Sequence, residues 1–159
     1  MMRSRIFAAA WLLLAAPVDV RGDEPDQPQD PRESAVRQVI DGYFAAWSSQ
    51  DLDRYGRLFM PKAAIQLIDP AGELITVRLA PFLESQREAH RRAKNRLTES
   101  AERVDVRFEA ELARVVVYWK LLDGDRVEYG YDHFTLIKSG DQWRIANLLF
   151  YAVKPKAKP

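Results

Sequence analysis

Val127-Glu-Tyr-Gly-Tyr-Asp-His-Phe-Thr-Leu-Ile-Lys-Ser-Gly-Asp-Gln-Trp-Arg-Ile-Ala-Asn-Leu-Leu-Phe-Tyr151 contains two long β-prone runs. Ser139-Gly140-Asp141 separates them, which reads as a hairpin. Upstream, Leu97–Phe108 and Ala110–Leu122 are further strand candidates, and Asp123-Gly124-Asp125 supplies a second tight turn. Val115-Val-Val-Tyr-Trp-Lys-Leu-Leu122 is apolar on both faces, as expected for a strand inside a sheet.

Working back to the N-terminus, Asp30 and Pro31 are a cap and a first helical residue. Val36, Val39, Ile40, Tyr43, Phe44 and Trp47 follow at spacings of three and four, one apolar stripe. Ser48-Ser49-Gln50 breaks the pattern, and Asp51 caps a shorter helix with Leu52, Tyr55, Leu58 and Phe59 inward. Ala63–Ile68 and Leu74–Leu79 read as strands joined by Asp69-Pro-Ala-Gly72. A third helix is expected from Pro81 to about Asn95, with Phe82, Leu83, Gln86, Ala89, His90 and Ala93 on one side. Arg87, Arg91, Arg92, Lys94 and Arg96 with Glu84, Glu88 and Glu99 read as a solvated charged face. The order is ααββαββββ, and the class is α+β with helices on one side of an antiparallel sheet.

The chain of 159 residues suits one domain, here residues 32–153. Met1-Met-Arg-Ser-Arg5 followed by uncharged Ile6–Ala16 matches a secretory signal peptide. Eleven apolar residues are too few to span a bilayer, which needs about 20. Cleavage is expected near Gly22, leaving an exported protein, periplasmic or extracellular, without a stable membrane anchor; an uncleaved anchor is the alternative. Residues 23–31 read as a disordered polar linker, and Lys154-Pro-Lys-Ala-Lys-Pro159 as a disordered basic tail. Loss of residues 1–22 removes Arg3, Arg5, Arg21 and Asp19 and turns a formal charge of +1 into −1. A near-neutral chain carries no electrostatic footprint for nucleic acid. The absence of cysteine excludes thiol catalysis and Cys-type zinc sites. No metal, phosphate-loop or cofactor motif is present, so neither a metal nor a cofactor is expected.

Two segments carry a family resemblance. Tyr43-Phe-Ala-Ala-Trp-Ser-Ser-Gln-Asp-Leu-Asp-Arg-Tyr55, with Leu58-Phe-Met-Pro-Lys-Ala-Ala-Ile65, resembles the opening of nuclear transport factor two-like domains. Phe134-Thr-Leu-Ile-Lys-Ser-Gly-Asp-Gln-Trp-Arg-Ile145 looks like their closing hairpin. Asp132-His-Phe-Thr-Leu and Trp143-Arg-Ile-Ala-Asn147 are similar to the SnoaL-like or lumazine-binding branch. The resemblance covers about residues 32–153. It implies a cone-shaped curved sheet wrapped around three helices, with a pocket between them. The superfamily includes isomerases, cyclases, dehydratases and binding domains, so the fold does not choose among activities.

Alternation along the penultimate strand puts Glu128, Gly130, Asp132, Phe134 and Leu136 on one face. Phe134 and Leu136 belong to a core, which aims Asp132 into the cavity. A carboxyl in an apolar cone has a raised pKa and can shuttle protons. Enzymes of the superfamily use an aspartate so, which makes Asp132 the candidate acid/base; a rim carboxylate paired with arginine is the alternative. Tyr43, Trp47, Tyr55, Phe59, His90, Trp119 and Phe134 are the candidate pocket residues, and plain core packing is the alternative for each. Tyr131, His133 and Thr135, with Val116 and Tyr118, face the other way and call for a cover, expected to be a second copy in a homodimer. The leading expectation is a binding domain for a small hydrophobic or aromatic ligand. A small lyase, isomerase or cyclase working through Asp132 comes second, and a purely structural dimerisation domain third.

Overall fold

The computed structural model describes residues 31–153. The expected signal peptide, the linker up to the capping Asp30, and the basic tail from Lys154 lie outside the described residues. Helix α1 spans Pro31–Ser48, and Val36, Ile40, Tyr43, Phe44, Ala46 and Trp47 are its buried residues. Gln50, at a φ of 65°, turns the chain after it. Asp51 then caps α2, Leu52–Arg57, by accepting from the Arg54 N–H at 2.9 Å. Phe59 is expected on this helix but instead starts β1, Phe59–Ile68, because α2 already ends at Arg57.

Asp69 shapes the next turn. Its Oδ1 accepts from the N–H groups of Ala71 and Glu73, both at 2.9 Å, and Gly72 takes a φ of 88°. Strand β2, Leu74–Arg78, follows, and the chain passes directly into α3, Leu79–Arg92. The helix therefore starts two residues before Pro81 and stops short of Asn95. Arg78 offers it no side-chain cap, so no capping residue marks the start in the sequence. Its outer face carries Arg87–Glu84, Arg91–Glu84, Arg91–Glu88 and Arg92–Glu88 ion pairs.

Four strands complete the chain: β3 Leu97–Glu109, β4 Leu112–Asp123, β5 Arg126–Ser139 and β6 Gln142–Val153. The sheet runs β2-β1-β6-β5-β4-β3. It is an α+β arrangement with a curved, unclosed, largely antiparallel sheet; the join between β1 and β6 is parallel. Three shifts in register accompany the curvature, at Phe59/Ala64, Ala101/Arg103 and Thr135/Leu136. The concave face and the helices share one core, including Ile40, Phe44, Phe59, Ile65, Val117, Phe134, Leu136, Ile145 and Leu148. Among the described residues no helix is long and apolar enough to cross a membrane.

Gly130 makes the concave face possible where it bends over the site. It pairs with Trp119 across β4 and β5. A Cβ there would collide with the Trp119 ring and with the Tyr151 carbonyl. The bare glycine thus lets the indole lie flat against the neighbouring strand.

Candidate functional site

A pocket of about 280 Å³ opens between the helices and the concave face. From α1 come Tyr43 and Trp47, from α2 Tyr55, and from α3 Phe82 and Gln86. The sheet adds Glu99 from β3, Trp119 and Leu121 from β4, and Glu128 and Asp132 from β5. Leu67 and Ile68 of β1, Asp69 and Pro70 of the following turn, and Phe150, Tyr151 and Ala152 of β6 complete the wall. A larger hollow of about 700 Å³ runs along α1, α2 and the β5–β6 turn past Arg54, Arg57 and Arg144. It is open, and its polar side chains have no buried atom left without a partner. The smaller pocket has two such atoms, and chemistry rather than size selects it.

Those atoms are Asp132 Oδ2 and Trp119 Nε1. Asp132 is 2% exposed, between Val117 of β4 and Phe150 of β6 in register. Burial lifts its pKa from 3.8 to about 7; the neighbouring Tyr43 hydroxyl and Trp119 N–H offset part of the rise. Neither closes the account, since Oδ2 accepts no hydrogen bond and the indole N–H finds no acceptor. A buried carboxyl so placed is costly when ionised. Tyr43 and Tyr55 pack at a tilt with ring centroids 4.7 Å apart, and burial pushes both hydroxyls well above the ordinary tyrosine range. Both remain neutral hydroxyls beside the carboxyl.

Glu99 is the second carboxyl of the site. It is half-buried, yet desolvation, with the charge of Asp132 behind it, pushes its pKa well above the glutamate range. Ser48 holds it in place: its hydroxyl accepts from the Glu99 N–H at 2.8 Å and donates to the Glu99 carbonyl at 3.0 Å. This pins the end of α1 to β3. Trp47 is fixed likewise, its Nε1–H donating to Gln86 Oε1 at 2.9 Å and tying α1 to α3.

The residues expected at the site divide. Tyr43, Trp47, Tyr55, Trp119 and Asp132 line the pocket together. Phe59 and Phe134 do not; they pack beneath it against Tyr43, at 6.1 and 5.0 Å between centroids. His90 lies behind the wall, tilted against Trp47 at 4.4 Å between centroids, with both ring nitrogens unpartnered and its pKa lowered by burial. No arginine pairs with Asp132, so the rim-carboxylate alternative does not describe it; Glu128 fills that role through its ion pair with Arg126. Sequence reasoning left Glu99 on a solvated face. Leu97, Glu99 and Ala101 share the concave side only until the bulge at Ala101/Arg103, after which Val104, Val106 and Phe108 take over. Counting back in twos from Phe108 points Glu99 outward. No group of three or more metal-ligating side chains occurs among the described residues.

The raised carboxyl makes stability fall with pH. Between pH 4 and 7 the folded state keeps the Asp132 proton that the unfolded state has lost, so folding is favoured at the acid end and the advantage disappears through about pH 7. The separation of the two pKa values sets an upper limit of about 4 kcal/mol, and Glu99 acts in the same direction. Urea unfolding at pH 5 and pH 8 should show the wild type losing stability relative to Asp132→Asn as pH rises. Parallel curves for the two proteins would contradict the burial argument.

Comparison with known proteins places this geometry. Residues 31–151 match the family described as "putative lumazine-binding". No curated protein matches the chain. Among solved structures, an NTF2-like protein of unknown function from Pseudomonas putida superposes with a TM-score of 0.68 at 14% identity, covering 80% of this chain and 96% of that one. A protein of unknown function from Mycobacterium tuberculosis gives 0.66 at 17% identity, with 79% and 73% covered. One from Streptomyces avermitilis, described as a putative dehydratase of the NTF2-like family, gives 0.63 at 13%, with 76% and 95% covered. At these identities the structures speak for the fold alone. The family match spans nearly all the described residues, so the chain belongs to the putative lumazine-binding family.

Proposed function

We propose that this protein binds a small, largely apolar, ring-containing ligand, and that it does so outside the cytoplasm after losing residues 1–22. One observation carries the binding reading: an aromatic-walled pocket of about 280 Å³ holds an acceptor, Asp132 Oδ2, and a donor, Trp119 Nε1–H, both unused. A ligand offering one donor and one acceptor satisfies both, while its ring packs on Trp47, Tyr55 and Phe150. The family description and its ligand-binding sense agree with this.

A second reading, a small lyase or isomerase, is favoured by a carboxyl held at about 7 beside another. A general acid/base works best near the operating pH. Among NTF2-like neighbours, the Streptomyces avermitilis protein described as a dehydratase supports the same direction. Asp132 and Glu99 would share the proton work, with Tyr43 holding the substrate.

The convex face suggests a homodimer. Tyr118, Tyr129, Tyr131, His133 and Tyr151 form a half-buried aromatic layer there, with Tyr118 stacked on Tyr129 at 5.6 Å and His133 on Tyr151 at 5.7 Å. Such a face is a natural place for a second copy.

Fragment titrations followed by NMR test the site. Benzyl alcohol or benzylamine should move the Trp119 indole resonance in the wild type and not in Leu121→Trp, whose larger ring fills the pocket. Asp132→Asn separates the two readings: a binding domain keeps its affinity for benzyl alcohol, whereas an enzyme loses turnover by roughly 10²–10⁴-fold. For export and assembly, the protein recovered from the exported fraction should begin at about Asp23 and scatter light as a dimer. An intact Met1 or a concentration-independent monomer mass would contradict the respective part.

A further inference from the structure

The pocket's charges are one-sided. Asp69, Glu99, Glu128 and Asp132 all line it, and among the described residues no lysine or arginine does. Two of the four are already committed, Asp69 to its turn and Glu128 to Arg126. Asp132 and Glu99 are not: neither forms an ion pair among the described residues, and Asp132 Oδ2, on a residue 2% exposed, has no hydrogen-bond partner at all. Around them stand Tyr43, Trp47, Tyr55, Phe82, Trp119 and Phe150. Aromatic faces attract cations, most strongly where water is excluded.

We propose that the ligand of this pocket is a small organic cation, a primary or secondary ammonium on a ring or short chain, whose N–H is donated to Asp132 and whose charge is shared by Asp132 and Glu99. The proposal rests on reading the inner pocket as the ligand site and adds the ligand's charge class. An ammonium supplies what the site lacks: a donor for Oδ2 and a counter-charge for two carboxyls. A carboxylate ligand would meet like charge with no cation to offset it. A neutral ligand can fill the volume but brings no charge to replace the proton the pair holds.

Proton linkage follows from the same groups. Asp132 faces Tyr43 from α1, Tyr55 from α2, Glu99 from β3, Trp119 from β4 and Phe150 from β6, while α3 adds Gln86, with His90 behind Trp47. None is a cation that would hold the pair ionised at neutral pH. The empty pair therefore keeps proton that an arriving ammonium displaces. Binding should release protons near pH 7, and affinity should rise as pH increases from 6 to 8 while the ligand stays protonated.

Three probes of one size decide the matter on the full exported chain: benzylamine, benzyl alcohol and benzoate, titrated at pH 6, 7 and 8. The assigned Trp119 indole resonance reports the site. Calorimetry in two buffers of different ionisation heat counts protons. Benzylamine is expected to bind at least tenfold tighter than benzyl alcohol at pH 8, to tighten with pH and to release protons; benzoate should not reach the site. Asp132→Asn should cost benzylamine tenfold or more and leave benzyl alcohol nearly unchanged, and Glu99→Gln provides the same comparison if the first variant folds poorly. Benzyl alcohol or benzoate matching benzylamine at Trp119 would overturn the cation proposal while leaving the pocket as a ligand site. Failure of all three to move Trp119 at millimolar concentration would overturn both.

Discussion

A carboxyl group buried without a counter-charge is the constraint around which this site is built. The period of two along β5 sends Asp132 inward between Gly130 and Phe134, and the sheet closes over it on both sides. Water is lost and no arginine replaces it, so the group meets the cost by holding its proton. The neighbours then serve that arrangement. Tyr43 and Tyr55 stay neutral, Trp119 lies flat because residue 130 has no side chain, and Ser48 fixes Glu99 at the same pocket. A core of this size would be more stable with a leucine at position 132, because an apolar side chain carries neither the charge nor its desolvation cost. Stability has been exchanged for a polar group that is available to something else.

The last hairpin and the two opening helices were open to reading because their signals are local. Alternation along β5 identified the inward face correctly, and the stripe on α1 identified Tyr43 and Trp47. What the sequence hid depends on non-local geometry. Nothing in the pattern of β1 reveals that β6 runs parallel to it, since apolar alternation looks the same in either direction. Helix α3 begins without a cap, and Pro81 in its first turn looks like a start when it is already the third residue. Glu99 is concealed by the bulge at Ala101/Arg103, which reverses the facing of every residue before it. Phe59, Phe134 and His90 have the composition of pocket residues, but whether an aromatic side chain lines a cavity or supports the residues that do is settled by a few ångströms of packing.

The two faces of the sheet show different uses of aromatic residues. On the concave side Tyr43, Tyr55, Phe59 and Phe82 interlock edge to face or tilted, with centroids 4.7 to 6.3 Å apart. On the convex side Tyr118, Tyr129, Tyr131 and Tyr151 lie along neighbouring strands, and their rings meet stacked or tilted, with centroids 5.1 to 5.8 Å apart. The first arrangement is rigid and shaped. The second is broad and half-exposed.

Binding and proton transfer place opposite demands on the same carboxyl pair. A binder gains most when its ligand fixes the charge: once an ammonium sits against Asp132, both carboxyls ionise and no longer exchange protons near neutrality. A general acid/base must do the reverse and keep its pKa near the working pH with substrate bound, which requires a ligand that leaves the local charge unchanged. The charge of the natural ligand therefore also decides the chemistry open to the site. A cation turns Asp132 and Glu99 into a clamp. A neutral, enolisable or hydroxylated ligand brings no charge to fix the pair, so Asp132 and Glu99 keep their raised pKa values, with Tyr43 beside them to hold an oxygen. The absence of lysine and arginine from the wall among the described residues tilts the balance towards the clamp, because a site that stabilises a developing oxyanion gains from a cation near that oxygen, and these residues offer only neutral hydroxyls and an indole N–H.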